Sequence, residues 1–144
     1  MSTSNLLLPS PTLRMALWTD AAVSGAAGAL QLAGGDPLAA TLGLPASLTL
    51  SSGVFLLGYA AMLVAMARAS RLHAALVALV VFGNLGWALG CIGLPAAGVL
   101  EPAPLGWGWL LLQALAVLVF AAWEGAGWRA SRPAPGGHAA LHGA

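Results

Sequence analysis

Four long apolar runs, separated by glycine and proline, constrain the fold of this chain more than any other sequence feature. Each run supplies the ~20 residues that a helix needs to cross the hydrocarbon core of a bilayer. Strands of this length would leave backbone groups unpaired in lipid unless they closed into a barrel, and the ~10-residue alternation typical of a barrel is not seen. We therefore expect an all-α polytopic membrane protein, a four-transmembrane-helix bundle with spans at 13–34, 48–68, 72–94 and 105–128.

Composition supports a membrane environment and excludes several functional classes. Hydrophobic residues make up 60% of the chain and charged residues only 6%, whereas a soluble domain carries roughly 25% charged residues. Without lysine and with a net charge of +1, the chain offers no basic face for nucleic acid. A single cysteine, Cys91, excludes an internal disulfide and a thiolate cluster. We predict no catalytic residues, no metal site and no cofactor.

The arginines predict how the chain crosses the membrane. All five lie at the predicted cytoplasmic ends of the spans: Arg14, Arg68, Arg71, Arg129 and Arg132. The two opposite loops carry Asp36 and Glu101 and no positive charge. By the positive-inside rule, both termini face the cytoplasm, with an N-terminal segment at 1–12 and a disordered tail at 129–144. The tight turn at 69–71 predicts that the second and third spans are antiparallel neighbours.

Polar residues inside the spans are the candidate functional residues, because inserting each of them into lipid is costly. Asp20 and Glu124 lie in the cytoplasmic half of their spans and are the candidate proton-binding groups. The neutral candidates, spread over all four spans, are Tyr59, Asn84, Gln31 and Gln113. An eleven-residue separation returns to nearly the same face of a helix. It separates Asp20 from Gln31, and Gln113 from Glu124, so these side chains should face the bundle interior.

Two interpretations of the carboxylates stay open. In the first, Asp20 and Glu124 form a proton-binding pair that couples proton movement to a substrate. In the second, they are structural: Glu124 pairs with Arg129 or Arg14, and Asp20 pairs with Arg14 or Asn84. For Asn84 and the two glutamines, hydrogen bonding between packed helices is the favoured interpretation.

Small residues predict where the helices approach closely. Ser24 and Gly28 lie on the polar face of the first span, and Gly86 and Gly90 form a GxxxG pattern in the third. Small residues at such positions let the backbones of neighbouring helices come together in a membrane. We assign these four residues to helix packing, within the bundle or against a partner.

Three segments resemble a group of short four-span bacterial membrane proteins without a known activity: LWTDAAVSG at 17–25, GNLGW at 83–87 and QALAV at 113–117. The resemblance covers most of 12–128 and implies the bacterial inner membrane but no activity. We expect a non-enzymatic accessory or assembly protein, or a homo-oligomer, whose partners are the lipid bilayer and other membrane subunits. The alternative is a small proton-coupled transporter that uses Asp20 and Glu124.

Overall fold

The computed structural model describes residues 5–134. Four helices account for most of this part of the chain: α1 Pro11–Leu42, α2 Ala46–Arg68, α3 Ala74–Ala96 and α4 Pro104–Ala130. Three very short strands accompany them: β1 Leu6–Leu8, β2 Leu72–His73 and β3 Arg132–Pro133. The prediction of an all-α protein with four helices is confirmed.

Helix α1 is longer than the predicted first span, because the chain bends at Gly35 and then continues as a helix instead of ending there. It begins at Pro11, after Ser10 has capped it by accepting a hydrogen bond from the Leu13 amide (3.1 Å). At Gly35 the backbone adopts φ 49°, ψ −142°, which is not helical, so the axis kinks there. The chain then resumes a helix that ends at Gly43, whose φ of 64° forms a left-handed cap. Much of the predicted outer loop is therefore helical.

Helices α2, α3 and α4 are each long and apolar enough to cross a membrane. The chain is therefore a multi-pass membrane protein. Helix α1 has a different character, because it carries Arg14, Asp20 and Asp36. It also lies at the centre of the packing: α1 lies along both α2 and α4, and α3 lies along α4.

Two glycine contacts explain how closely α1 packs against its neighbours. A Cβ atom placed on Gly28 would lie 2.8 Å from the backbone oxygen of Gly53 on α2. A Cβ atom on Gly127 of α4 would lie 2.6 Å from the Cα atom of Leu13. Only glycine fits at these distances, and such small residues favour close helix packing in a membrane.

Helices α2 and α3 are joined by the short turn at 69–71, but their backbones make few close contacts. Aromatic side chains fill part of the space between them: the Phe55 ring stacks on Trp87 with centroids 5.6 Å apart and planes inclined by 8°. The two helices are antiparallel and in side-chain contact, as predicted for neighbours, but their backbones do not approach closely over most of their length. The turn constrains only one end of the pair, and beyond it the bulky rings hold the backbones apart.

The three short strands gather the chain segments at one end of the bundle. Strand β1 pairs antiparallel with β2 on one side and with β3 on the other. This brings together the N-terminal segment, the turn before α3, which carries Arg71, and the segment after α4, which carries Arg132. Arg14, Arg68 and Arg129 lie in the adjoining ends of α1, α2 and α4. We call this end of the bundle the arginine end. The predicted disorder of 129–144 is wrong for 129–133, which continues α4 and forms β3, while 135–144 lie outside the described residues.

Candidate functional site

Four polar side chains, one from each helix, meet inside the bundle. They are Asp20 from α1, Tyr59 from α2, Asn84 from α3 and Glu124 from α4. Each lies six to ten residues from the end of its helix nearest the arginine end, which is roughly 9–15 Å of depth at ~1.5 Å per residue. Because neighbouring helices run in opposite directions, these similar depths bring the four side chains to one level. We call them, together with Ser24, the carboxyl cluster.

Asn84 is the centre of the carboxyl cluster. Its Nδ2 group donates to Asp20 Oδ2 and to Glu124 Oε2, at 3.0 Å each. The Tyr59 hydroxyl lies 3.2 Å from both Asp20 Oδ2 and Asn84 Oδ1. Ser24, one turn after Asp20 on α1, donates its hydroxyl to Asp20 Oδ1 at 2.7 Å. The two carboxyl groups are therefore joined through a single amide that reaches both of them.

The two carboxyl groups of the cluster are fully buried, and no cation among the described residues compensates their charge. Asp20 and Glu124 are both 0% exposed. No arginine or histidine in the described part of the chain forms an ion pair with either carboxyl group. The Arg14 guanidinium instead donates to the Ala67 carbonyl oxygen at 2.7 Å. Of the proposed structural partners, only Asn84 is in contact with Asp20, and the predicted arginine pairs are wrong.

The carboxyl cluster has fewer hydrogen-bond donors than acceptors. Asn84 uses both Nδ2 hydrogens on carboxylates, and the single Tyr59 hydroxyl hydrogen must serve either Asp20 or Asn84. Among the residues that the structure describes, Glu124 Oε1 is buried without any hydrogen-bond partner. Buried polar atoms are normally paired, so this oxygen is an exception that a functional account must explain.

A small cavity of about 60 Å³ adjoins the carboxyl cluster. Ser24, Tyr59 and Asn84 of the cluster line it, together with Trp87. A volume of this size exceeds what one water molecule needs. The cavity can therefore hold water within reach of the cluster.

The two predicted glutamines lie outside the carboxyl cluster, nearer the opposite end of the bundle. The Gln31 side chain is hydrogen-bonded to the Ser52 hydroxyl, and Gln113 Oε1 accepts from the Trp87 indole at 3.2 Å. Both glutamines line a second, larger cavity of about 330 Å³. Sequence reasoning missed Ser52, because a serine in an apolar helix is too common to single out.

The four predicted packing residues divide into two pairs. Ser24 and Gly28 are buried on α1, where Ser24 binds Asp20 and Gly28 faces the backbone of α2. Gly86 and Gly90 on α3 have open space where a Cβ atom would lie, and both line the larger cavity. Within the described chain, the GxxxG pattern of α3 therefore serves no helix contact.

The fold and the carboxyl cluster together define a multi-pass helical membrane protein with a buried polar site. Within residues 5–134, no three histidine, cysteine, aspartate or glutamate side chains are close enough together to hold a metal ion. Comparisons with protein-family models, curated proteins and solved structures found no match.

Proposed function

We propose that the protein is a small proton-coupled transporter in which Asp20 and Glu124 bind the transported proton. The observation that carries this proposal is the arrangement of the two fully buried carboxyl groups. Both accept hydrogen bonds from Asn84 Nδ2, and neither forms an ion pair with a described residue. The proposed setting is the bacterial inner membrane, with α1 as a fourth span and both termini in the cytoplasm. Two features support this setting: the arginines gather at one end, and Asp20 of α1 is shielded from lipid.

Electrostatics favours a proton in the carboxyl cluster. Two ionised carboxylates held close together in a low-dielectric interior repel each other, and each of them loses its hydration. A proton bound at Glu124 removes one charge and also creates an O–H group. If the proton sits on Oε1, that unpaired acceptor becomes a donor in a cluster that has more acceptors than donors. One added proton therefore corrects both the charge and the hydrogen-bond shortage.

Release of that proton changes the cluster enough to serve as a switch. After proton release, Glu124 carries a negative charge beside Asp20, and no cation of the described chain lies close to it. The side chains from all four helices must then rearrange or admit water. The 60 Å³ cavity beside Tyr59 and Asn84 is the place where water would enter. Proton release is coupled to a change in helix packing, because the same four side chains hold the four helices together.

Infrared difference spectroscopy of the protein in lipid bilayers tests the proposal. Shifting the buffer from acidic to alkaline pH should remove the carbonyl band of a protonated carboxyl group in the wild-type protein. The band should disappear in Glu124→Gln and should be absent or displaced in Asp20→Asn. The other two acidic residues, Asp36 and Glu101, are both exposed, so Asp36→Asn and Glu101→Gln are matched controls that should retain the pH response. A buried carboxyl band that does not respond to pH would refute a proton-transfer role.

The non-enzymatic accessory or oligomerising bundle is the second candidate function. One observation favours it: Gly86 and Gly90 present open space on α3, where a helix of another subunit could approach closely. Native mass spectrometry from lipid nanodiscs distinguishes the two candidates. A stable dimer that is lost in Gly86→Leu, together with an unchanged pH response of Glu124, would favour the assembly role.

A further inference from the structure

A cleft lies between α2 and α3 in the half of the bundle farther from the arginine end. It corresponds to the larger cavity of about 330 Å³, which falls at the lower end of the ~300–1,000 Å³ typical of small-molecule sites. The cleft exists because the backbones of α2 and α3 stay apart beyond the Phe55–Trp87 stack. Side chains from all four helices contribute to its wall.

The wall of the cleft selects for an uncharged ligand. Leucines and the indole rings of Trp87 and Trp109 form most of it, and it contains no acidic or basic side chain. A charged molecule would lose its hydration there without gaining an ionic partner. A neutral molecule that dissolves in lipid meets no such barrier.

Two amide groups add hydrogen-bonding specificity to this apolar wall. Gln31 and Gln113 are the only glutamines in the chain, and both line the cleft. Gln113 Oε1 accepts from the Trp87 indole, which can only donate, so the orientation of this amide is determined and its Nε2 group points elsewhere. Gln31 is 2% exposed, and its Oε1 faces the Ser52 hydroxyl, whose single hydrogen is shared with the Thr49 carbonyl oxygen at 3.1 Å.

The Nε2 groups of both glutamines are unused donors. The hydrogen bonds that the two glutamines make within the described part of the chain use their Oε1 atoms. Two unused amide donors in an apolar cleft are complementary to an oxygen acceptor on a neutral ligand, and a carbonyl oxygen is the acceptor that lipid-soluble molecules most often carry. The two indole rings favour a flat ring beside them.

We propose that the cleft is a binding site for an uncharged, lipid-soluble ring compound whose carbonyl oxygen accepts hydrogen bonds from Gln31 and Gln113. This site is separate from the carboxyl cluster and does not require Asp20 or Glu124 to bind a proton. Trp87 lines both the cleft and the 60 Å³ cavity, so a bound ring would lie one side chain away from the cluster.

Protection of Cys91 tests the proposal, because Cys91 is the only thiol in the chain and lines the cleft. The full-length protein in lipid nanodiscs is treated with N-ethylmaleimide, and alkylation is followed by mass spectrometry. Duroquinone is the probe, and durene is its matched control, with the same ring and methyl groups but no carbonyl. Duroquinone should slow alkylation of Cys91, whereas durene should have little effect.

Substitution of the glutamines provides a second test of the proposal. Gln31→Leu or Gln113→Leu should raise the duroquinone concentration for half-protection by about threefold to tenfold, the effect of losing one hydrogen bond. Leu115→Met lies on the exposed face of α4 and does not line the cleft, so it should leave that concentration unchanged. Equilibrium binding of labelled duroquinone repeats the comparison without relying on the thiol.

Three outcomes would overturn the proposal. Equal protection by durene would mean that the cleft accepts any hydrocarbon, such as a lipid chain. Protection of Cys91 without added ligand, in a protein shown by mass to be dimeric, would mean that a second copy fills the cleft. Equal retention of labelled duroquinone by the wild type and by the Gln31→Leu/Gln113→Leu double variant would show that the amides do not recognise it.

Discussion

Replacing Asn84 with leucine should destabilise the bundle by about 3–5 kcal/mol, because Asn84 joins side chains from the other three helices. Its two donated bonds, together with the bond that it accepts when the Tyr59 hydroxyl is turned toward it, contribute ~0.6 kcal/mol each on the average measured between membrane helices, or about 2 kcal/mol together. The substitution also leaves Glu124 with neither oxygen bonded, and an unsatisfied buried group adds about 1–3 kcal/mol. Leucine has the same number of side-chain heavy atoms in the same branching, so the substitution leaves no cavity.

Unfolding in mixed micelles measures this effect. The protein in dodecylmaltoside is titrated with sodium dodecyl sulfate, and helix content is followed by circular dichroism. The control is Asn5→Leu, the same chemical change at the only other asparagine, which is exposed and should alter stability by no more than ~0.5 kcal/mol. If the Asn84→Leu variant unfolds at the same detergent fraction as the wild type, the three bonds do not hold the helices together and the description of the cluster is wrong.

Two further predictions concern packing and topology. Gly127→Ala should destabilise the fold by about 1–3 kcal/mol through overpacking, because the new methyl group would lie 2.6 Å from a Cα atom of α1. Gly125→Ala, two residues earlier on α4 with open space around it, should be neutral or gain up to about 1 kcal/mol; equal losses in the same detergent titration would contradict the close contact. For topology, a cysteine at Ser70 in a Cys91→Ser background should react with an impermeant maleimide only after the membrane is opened. A cysteine at Ser47 should react in intact cells, and the reverse pattern would place the arginine end outside.

The four helices could be predicted from the sequence because runs of ~20 apolar residues leave few alternatives in a bilayer. The behaviour of α1 beyond Gly35 could not be predicted, since a glycine followed by Asp36 and Pro37 is compatible with either a helix end or a kink. The pairing of β1 with β2 and β3 was also beyond prediction. Strands of two or three residues carry no periodicity, and their partners are distant in sequence.

The residues of the carboxyl cluster could be identified from the sequence, but their convergence could not. Eleven-residue spacing predicts which residues share a helix face, and the polar faces of α1 and α4 do point inward. The rotation of each helix about its own axis decides which polar groups meet, and a single sequence does not specify that rotation. Arg14 illustrates the limit, because it lies about two turns from Asp20 yet binds the Ala67 carbonyl at the end of α2.

The choice of carboxylates in the cluster is itself an argument for proton binding. If the cluster served only to hold the helices together, asparagine or glutamine at positions 20 and 124 could make interhelical hydrogen bonds and also donate. A neutral amide would avoid the ~2.5–3.5 kcal/mol cost of placing a charged side chain such as aspartate at the centre of a membrane helix. An amide at Glu124 would also supply the donor that is missing at Oε1. Two acids in this position weaken the packing unless they take up a proton, and an amide cannot gain and lose a proton in this way.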